Sequence, residues 1–331
     1  MPTPSPVVLE LDNVSVAYES RAGAVNAVRD VSLKVEQNSI VGLVGESGCG
    51  KSTLAYAIMR LLKANAHVTQ GSIRVNNQDV YALSAKELRK FRWNEMSMVF
   101  QSAMSALNPV MMVEDQIFDV FRSHRPNMSR SDVLKRAKEL LSLVRIDHKH
   151  LKSYPHELSG GMKQRIVIAI AIALEPSLVI MDEPTTALDV VVQRSILDQI
   201  KEIQREKHFA ILFISHDFSL VAELASRVAV MYAGRLVENS PAYGLRNSEG
   251  HHPYTQGLMR AIPKLTADEV TIDGIPGNPP DLITLPNGCA YHPRCPFVFE
   301  LCETTKPERY RTGESELECH LFASERRGSH V

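Results

Sequence analysis

The sequence of 331 residues carries almost no net charge: 37 Lys and Arg stand against 38 Asp and Glu, leaving −1. No global field therefore favours nucleic acid or an anionic lipid surface. Long apolar runs are missing too. The longest, Ile166 to Leu174, is a core segment by length, well short of the roughly 20 residues that a membrane-spanning helix needs. The opening Met1-Pro2-Thr3-Pro4-Ser5-Pro6 has neither the basic nor the apolar region of a secretion signal, so the protein is expected to stay in the cytoplasm. Any part in a membrane process would then run through a partner. Internal repeats and low-complexity tracts are absent. What is present, 44% hydrophobic and 23% charged residues, is the composition of an ordinary globular protein. The length suits one large domain and a smaller one.

Cysteine is scarce and unevenly placed. Cys49 stands alone, while Cys289, Cys295, Cys302 and Cys319 crowd the end of the chain. In a cytosolic protein such a cluster reads as a metal site before it reads as disulfides. The spacing C-x5-C-x6-C-x16-C contains no C-x-x-C knuckle, which counts against a zinc ribbon. Four thiolates suit an iron–sulfur cluster, and bare buried thiols are the alternative.

The chain is organised around Gly45-Glu46-Ser47-Gly48-Cys49-Gly50-Lys51-Ser52-Thr53. An apolar run, Ile40 to Val44, precedes it, and a helical pattern from Leu54 to Arg60 follows. Strand, glycine-rich turn and helix in that order, with the spacing G-x-x-x-x-G-K-S, make a Walker A phosphate loop. Gly45, Gly48 and Gly50 let the backbone curl so that successive N–H groups face one anion. The helix start near Lys51 adds its positive end. Lys51 can reach the β- and γ-phosphates, and the Ser52 hydroxyl is placed for Mg²⁺.

Short apolar strands alternate with helical patterns along the rest of the chain. Val7 to Val16 and Val31 to Val35 alternate apolar and polar residues; Met96 to Phe100, Leu178 to Met181, Phe209 to Ile214 and Val228 to Tyr232 are apolar runs. The clearest helix repeats at Val133, Leu134, Ala137, Leu140, Leu141 and Val144. The alternation predicts an α/β domain with a largely parallel sheet. The section from about Met104 to Glu157 reads as a helical insertion. Nine of the eighteen prolines follow Gly250, so a boundary is placed near Ser240 to Gly250, with a loop-rich appendage beyond it. Ser324 to Val331 are expected to be disordered.

Polar groups collect where strands end. Gln101 follows Met98 to Phe100, Asp182 and Glu183 follow Leu178 to Met181, and His216 follows Ile211 to Ser215. In an open α/β sheet, ligands bind beyond the carboxyl ends of the strands. Asp182 would then help hold Mg²⁺, Glu183 would orient and deprotonate water, and His216 would sense the γ-phosphate. Gln101 can touch metal or water without adding charge. Tyr18 ends the first strand, where its ring can stack on adenine or simply close the strand. Leu158-Ser159-Gly160-Gly161-Met162 is a second anion-binding turn, with Ser159 able to cap a helix. The β-branched run after it, Ile166 to Ala173, suits a strand as well as a helix.

Tyr18, the phosphate loop, Gln101, Leu158 to Arg165, Leu178 to Asp189 (LVIMDEPTTALD) and Ser215-His216-Asp217 together resemble the motif set of ABC transporter ATPase subunits, over residues 7 to 240. The resemblance implies a P-loop ABC ATPase fold: a mostly parallel core sheet, an antiparallel β subdomain and a helical subdomain over about 104–160. It makes the run after Ser159 a helix. It implies ATP and Mg²⁺ as cofactors, with Ser52, Gln101 and Asp182 as metal ligands and Tyr18 and Gly45 to Thr53 around the nucleotide. It also implies a head-to-tail pair of ATPase subunits, each ATP lying between Lys51 of one and Ser159, Gly160 and Gly161 of the other, with Asp189 across the seam. Closure on ATP and reopening after hydrolysis by Glu183 would drive a membrane permease.

Gln101 to Pro109, His252-Pro253-Tyr254-Thr255 and the tail from Gly274 to Leu282 are similar to segments of the dipeptide and oligopeptide importer ATPases. That similarity implies an ATPase domain over 1–250 and an importer-type extension over 251–331. It implies that Cys289, Cys295, Cys302 and Cys319 ligate a 4Fe–4S cluster. Implied partners are a second, homologous ATPase subunit, two permease subunits and an extracytoplasmic solute-binding protein. The expected place is the cytoplasmic face of the cell membrane, held peripherally. Nickel chelates and oligosaccharides are alternative solutes. A cytosolic ABC-type ATPase acting on nucleic acid is the alternative class; the missing coiled coil, second cassette and basic surface argue against it.

Overall fold

The computed structural model of the chain describes residues 5–20, 23–101, 106–186, 188–246, 250–262 and 274–323. The expectation of disorder for Ser324 to Val331 lies outside these residues, as do Ser102 to Ser105 of the importer-like segment, Ala187 of the LVIMDEPTTALD run and positions 247–249 of the expected boundary.

The chain opens with two long strands, β1 (Val7–Ser20) and β2 (Gly23–Glu36). In β1 the most deeply buried apolar positions are Leu9 and Leu11, then Val14 and Val16. Their parity switches across Asn13, whose φ of 49° is left-handed, as an extra residue in a bulge would require. β3 (Ile40–Val44) is buried at every position, which is why it reads as a continuous apolar run rather than an alternation. There follow α1 (Lys51–Ile58), β4 (Ala66–Val75), β5 (Gln78–Asp79) and α2 (Ala85–Asn94). A capping box between Ser84 and Glu87 starts α2, and Trp93, with φ 64°, breaks it.

Next come β6 (Met96–Val99), α3 (Val113–His124), α4 (Arg130–Leu143) and α5 (Gly160–Ala171). Then follow β7 (Leu178–Asp182), α6 (Val190–Lys207), β8 (Ala210–Ser215), α7 (Phe218–Leu224), β9 (Arg227–Tyr232) and β10 (Arg235–Pro241). The tail holds α8 (Pro253–Arg260), α9 (Glu300–Thr304), β11 (Tyr310–Thr312) and β12 (Ser315–Leu317). The described strands fall into a four-stranded and an eight-stranded sheet.

The run at Ile166 is helical. Ser159 caps α5, and Ile166, Val167, Ile168 and Ala169 are all buried, so packing on every side outweighs the β-preference of its branched residues. In the tail, expected to be loop-rich, the helices and strands are short, and three-residue strands leave no periodic trace in a sequence.

The described residues divide into two compact units, the first drawn from residues 5–10, Lys34–Ser39 and Ile73–Leu212 and the second from Leu11–Leu33, Ile40–Ser72 and 213–323. In the first unit β6 and β7 pair in parallel, from Met96 opposite Leu178 to Val99 opposite Met181. Between 106 and 160 the described residues hold helices and turns and no strand. There α4 turns Val133, Ala137, Leu140 and Leu141 inward.

In the second unit the strands run β11-β12-β10-β9-β3. β3 and β9 are parallel, while β10 is antiparallel to both β9 and β12. The tail therefore joins β10 edge to edge, with Glu238 opposite Leu317. α7 packs directly on β3: a Cβ on Gly42 would sit 1.9 Å from Val221 Cγ1.

Candidate functional site

In the second unit, β3 delivers the chain to the phosphate loop and α1 leaves it. Gly45 (φ 154°) and Gly50 (φ 108°) are both left-handed, and a Cβ on either would strike backbone: Met231 O at 2.1 Å for Gly45, Ala27 O at 2.2 Å for Gly50. The loop is thus seated closely on β9 and β2. At Gly48 a Cβ would meet nothing within 4 Å, so that face of the curl is open.

Lys51, the first residue of α1, is buried, with 6% exposure. A buried ammonium needs acceptors, and its Nζ donates to Gly45 O at 2.7 Å and Glu46 O at 2.9 Å. Cys49 Sγ lies 3.7 Å away, and burial pushes that thiol above its ordinary range. The half-buried Tyr18 shares a 3.2 Å hydrogen bond between its hydroxyl and Thr53 Oγ1. Such a curl can hold a polyphosphate on backbone N–H groups, the start of a helix and one amine. Also in the second unit, exposed His216 follows β8, and Asp217 beside it caps α7 through Ser219 N–H and Leu220 N–H.

In the first unit, Asp182 ends β7 at 0% exposure. Glu183 follows with φ 47°, a left-handed conformation that costs a non-glycine residue energy and tends to mark sites of chemistry. Its Oε2 accepts from Gln101 Nε2 at 2.9 Å and from Thr186 Oγ1 at 3.1 Å. Gln101 and Glu183, 82 residues apart in sequence, thus form one hydrogen-bonded pair. A carboxylate with one oxygen held by two donors in this way can aim at water and accept its proton.

Ser159 Oγ accepts from Met162 N–H at 3.3 Å at the start of α5. Asp189 does the same at α6, from Val192 N–H at 2.9 Å. The two caps meet at Val192, whose Cγ1 would lie 2.7 Å from a Cβ on Gly161. Here glycine permits close approach of two helix starts. Val190 and Val191 stand 78% and 79% exposed beside them.

Cys302 and Cys319 are buried, and Cys289 and Cys295 half-buried. Cys289 N–H donates to Cys302 O at 2.8 Å. Burial pushes Cys289 up to about 11 and Cys319 up to about 12, and Cys295 and Cys302 add to both rises. Cys289 and Cys302 are joined through their backbones. Among the described residues no group of three or more His, Cys, Asp or Glu is gathered as a metal site.

Two residues touch the phosphate loop from the tail: Tyr254, named in the sequence only as part of the importer-like segment, and Arg294, which the sequence did not single out. Tyr254 accepts from Glu46 N–H, and Arg294 binds the Glu46 carboxylate. They lie 208 and 248 positions away, beyond the reach of any spacing argument.

Comparison with known proteins agrees with this geometry. The ABC transporter family model matches residues 28–186, and the oligopeptide/dipeptide transporter C-terminal region matches 237–302. The dipeptide transport ATP-binding protein DppD of Caldanaerobacter subterraneus is 38% identical over 96% of this chain and 97% of its own. The chain belongs to the ABC transporter ATP-binding proteins. The oligopeptide transport ATP-binding protein OppD of Escherichia coli is 42% identical, covering 91% of this chain and 89% of its own. A solved dimeric ATP-binding cassette with ADP and Pi matches with a TM-score of 0.63 and 27% identity, over 71% of this chain and 98% of its own. This family member thus has the P-loop ABC ATPase fold, and its activity is ATP hydrolysis coupled to transport. No helix among its described residues is long and apolar enough to cross a membrane.

Proposed function

We propose that this chain hydrolyses ATP to power import of di- and oligopeptides through a membrane permease. The observation that carries the reading is the match to the oligopeptide/dipeptide transporter C-terminal region on the same chain as the seated phosphate loop. Gly45 to Thr53 hold the phosphates, Tyr18 the adenine, and Ser52, Gln101 and Asp182 the Mg²⁺. Glu183 is the general base, with His216 reading the γ-phosphate. Residues 1–250 form the nucleotide-binding domain, with its helical subdomain over about 104–160, and 251–331 the importer-type extension.

Each ATP lies between Lys51 of one ATPase subunit and Ser159 to Gly161 of a homologous second one. The dimeric state of the similar cassette supports that arrangement. So do the exposed Val190 and Val191 beside Gly161, an apolar pair suited to a subunit seam. The pair sits peripherally on the cytoplasmic face of the membrane beneath two permease subunits, fed by an extracytoplasmic solute-binding protein. The test is to purify the membrane complex through a tag on this chain and measure which solute, loaded on the binding protein, raises its ATPase rate. Di- or oligopeptides should do so. Stimulation by nickel chelates or oligosaccharides alone would overturn the peptide assignment, and a complex with nucleic acid but no permease would overturn the class.

Cys289, Cys295, Cys302 and Cys319 would hold a 4Fe–4S cluster. Four thiols suit such a cluster in chemistry, since a thiol kept protonated by burial ionises readily beside a cationic metal centre. When bound, such a cluster cross-links the tail and can carry an electron. Protein purified without oxygen is expected to be brown and to contain about four irons per chain. Stoichiometric zinc without iron would reject the cluster.

A further inference from the structure

We infer that Arg294 is a positioning residue for nucleotide: the tail grips the phosphate loop through Glu46 and cancels that residue's charge. The inference rests on the reading of residues 45–53 as the polyphosphate site. Glu46 is the second residue of the loop, and its carboxylate is bound on both oxygens by one guanidinium. Arg294 Nη1 donates to Oε2 at 2.7 Å and Nη2 to Oε1 at 2.9 Å. This two-pronged fork fixes the carboxylate in plane and direction, which a lysine cannot do.

The remaining donors of Arg294 are also used. Nε donates to Pro276 O at 2.8 Å, Nη2 to Gly277 O at 3.3 Å, and Nη1 to the Tyr232 hydroxyl at 3.4 Å. The guanidinium lies 5.9 Å from the Tyr232 ring centre, and the side chain is 5% exposed. A cation so enclosed and so fully bonded is a fixed post, not a solvated side chain that happens to lie nearby. Arg294 ends the short turn His292–Arg294, directly before Cys295.

A second tie reaches the same loop residue. Glu46 N–H donates to the Tyr254 hydroxyl at 2.9 Å, and Tyr254 is wholly buried. Its ring packs against Tyr232 at 4.7 Å and Tyr291 at 5.4 Å between centroids. Backbone and side chain of Glu46 are therefore both anchored to the tail.

The consequence is electrostatic as well as geometric. A loop that binds a polyanion carries a carboxylate of its own, 25% exposed on its side chain. Unpaired, that carboxylate would repel the incoming phosphates and be free to swing; paired with Arg294, it does neither. The extension thus sets the affinity of the phosphate loop for nucleotide.

The experiment titrates MgATP against the full-length chain and its variants. R294Q is expected to bind about tenfold more weakly, because it leaves Glu46 charged and alone. Adding E46Q to R294Q should restore part of the affinity by removing the stranded charge, and R294K should also bind better than R294Q. A role confined to holding the tail folded would instead make the double variant worse. Y254F, which deletes one oxygen and keeps the ring, should bind about threefold more weakly, and it stands in if R294Q does not fold. Unchanged affinity in R294Q or Y254F, or weaker binding by E46Q/R294Q than by R294Q, overturns the inference. K51A separates the two readings: if it too binds MgATP normally, the phosphate-loop assignment fails and not the clamp.

Discussion

Replacing Glu183 with Gln is expected to slow ATP hydrolysis by about 10²- to 10⁴-fold, the usual worth of a general base, while MgATP still binds. Glutamine keeps the size and the hydrogen-bonding reach of the side chain, so the loss isolates proton acceptance. Glu183 follows the buried end of β7 in a left-handed conformation, and Gln101 and Thr186 hold its carboxylate in place. A residue spending backbone energy to be there is one whose direction matters. Phosphate release at saturating MgATP, with binding measured on the same sample, checks the outcome. Wild-type turnover would remove Glu183 from the role of base.

Lys51→Ala should weaken MgATP binding by about 2–5 kcal/mol, or between one and four powers of ten in Kd. The ammonium is enclosed, and its acceptors are the carbonyls of Gly45 and Glu46, residues of the loop itself. Its removal takes away the positive charge proposed to face the phosphates, and it also strands two carbonyls that shape the curl. Lys51→Met keeps the apolar stem and restores packing, not charge. If both variants lose nucleotide while unfolding near the wild-type temperature, charge is the cause. Unchanged affinity in both would contradict the phosphate-loop assignment.

How far the sequence discloses the site depends on distance along the chain. The phosphate loop is legible because strand, turn and helix are contiguous, and the structure seats Gly45 and Gly50 where no side chain fits. β3 and β7 are legible because complete burial forces an unbroken apolar run. The strand-end positions of Gln101 and Glu183 are visible too, but their direct hydrogen bond is not, since it depends on where two separate strands end. The β-branched run behind Ser159 is ambiguous in isolation, because only its surroundings decide whether it winds or extends.

The tail is the least legible part. Its strands are three residues long, and β12 finds its partner in β10, more than seventy residues earlier. Nothing near Arg294 in sequence points to Glu46, and nothing near Tyr254 points to a backbone N–H of the phosphate loop. Composition discloses that the tail is rich in proline and cysteine. It does not disclose that a buried guanidinium there holds the loop.

The central claim is that nucleotide held at residues 45–53 drives a transporter through cycles of joining and release. The most direct measurement is uptake of a labelled peptide by vesicles containing the purified complex and its loaded binding protein, with MgATP supplied and then withdrawn on the side of this chain. The account predicts uptake with MgATP that stops when the nucleotide is removed, and none with Glu183→Gln in both ATPase positions. Uptake that continues at the same rate without nucleotide would contradict it.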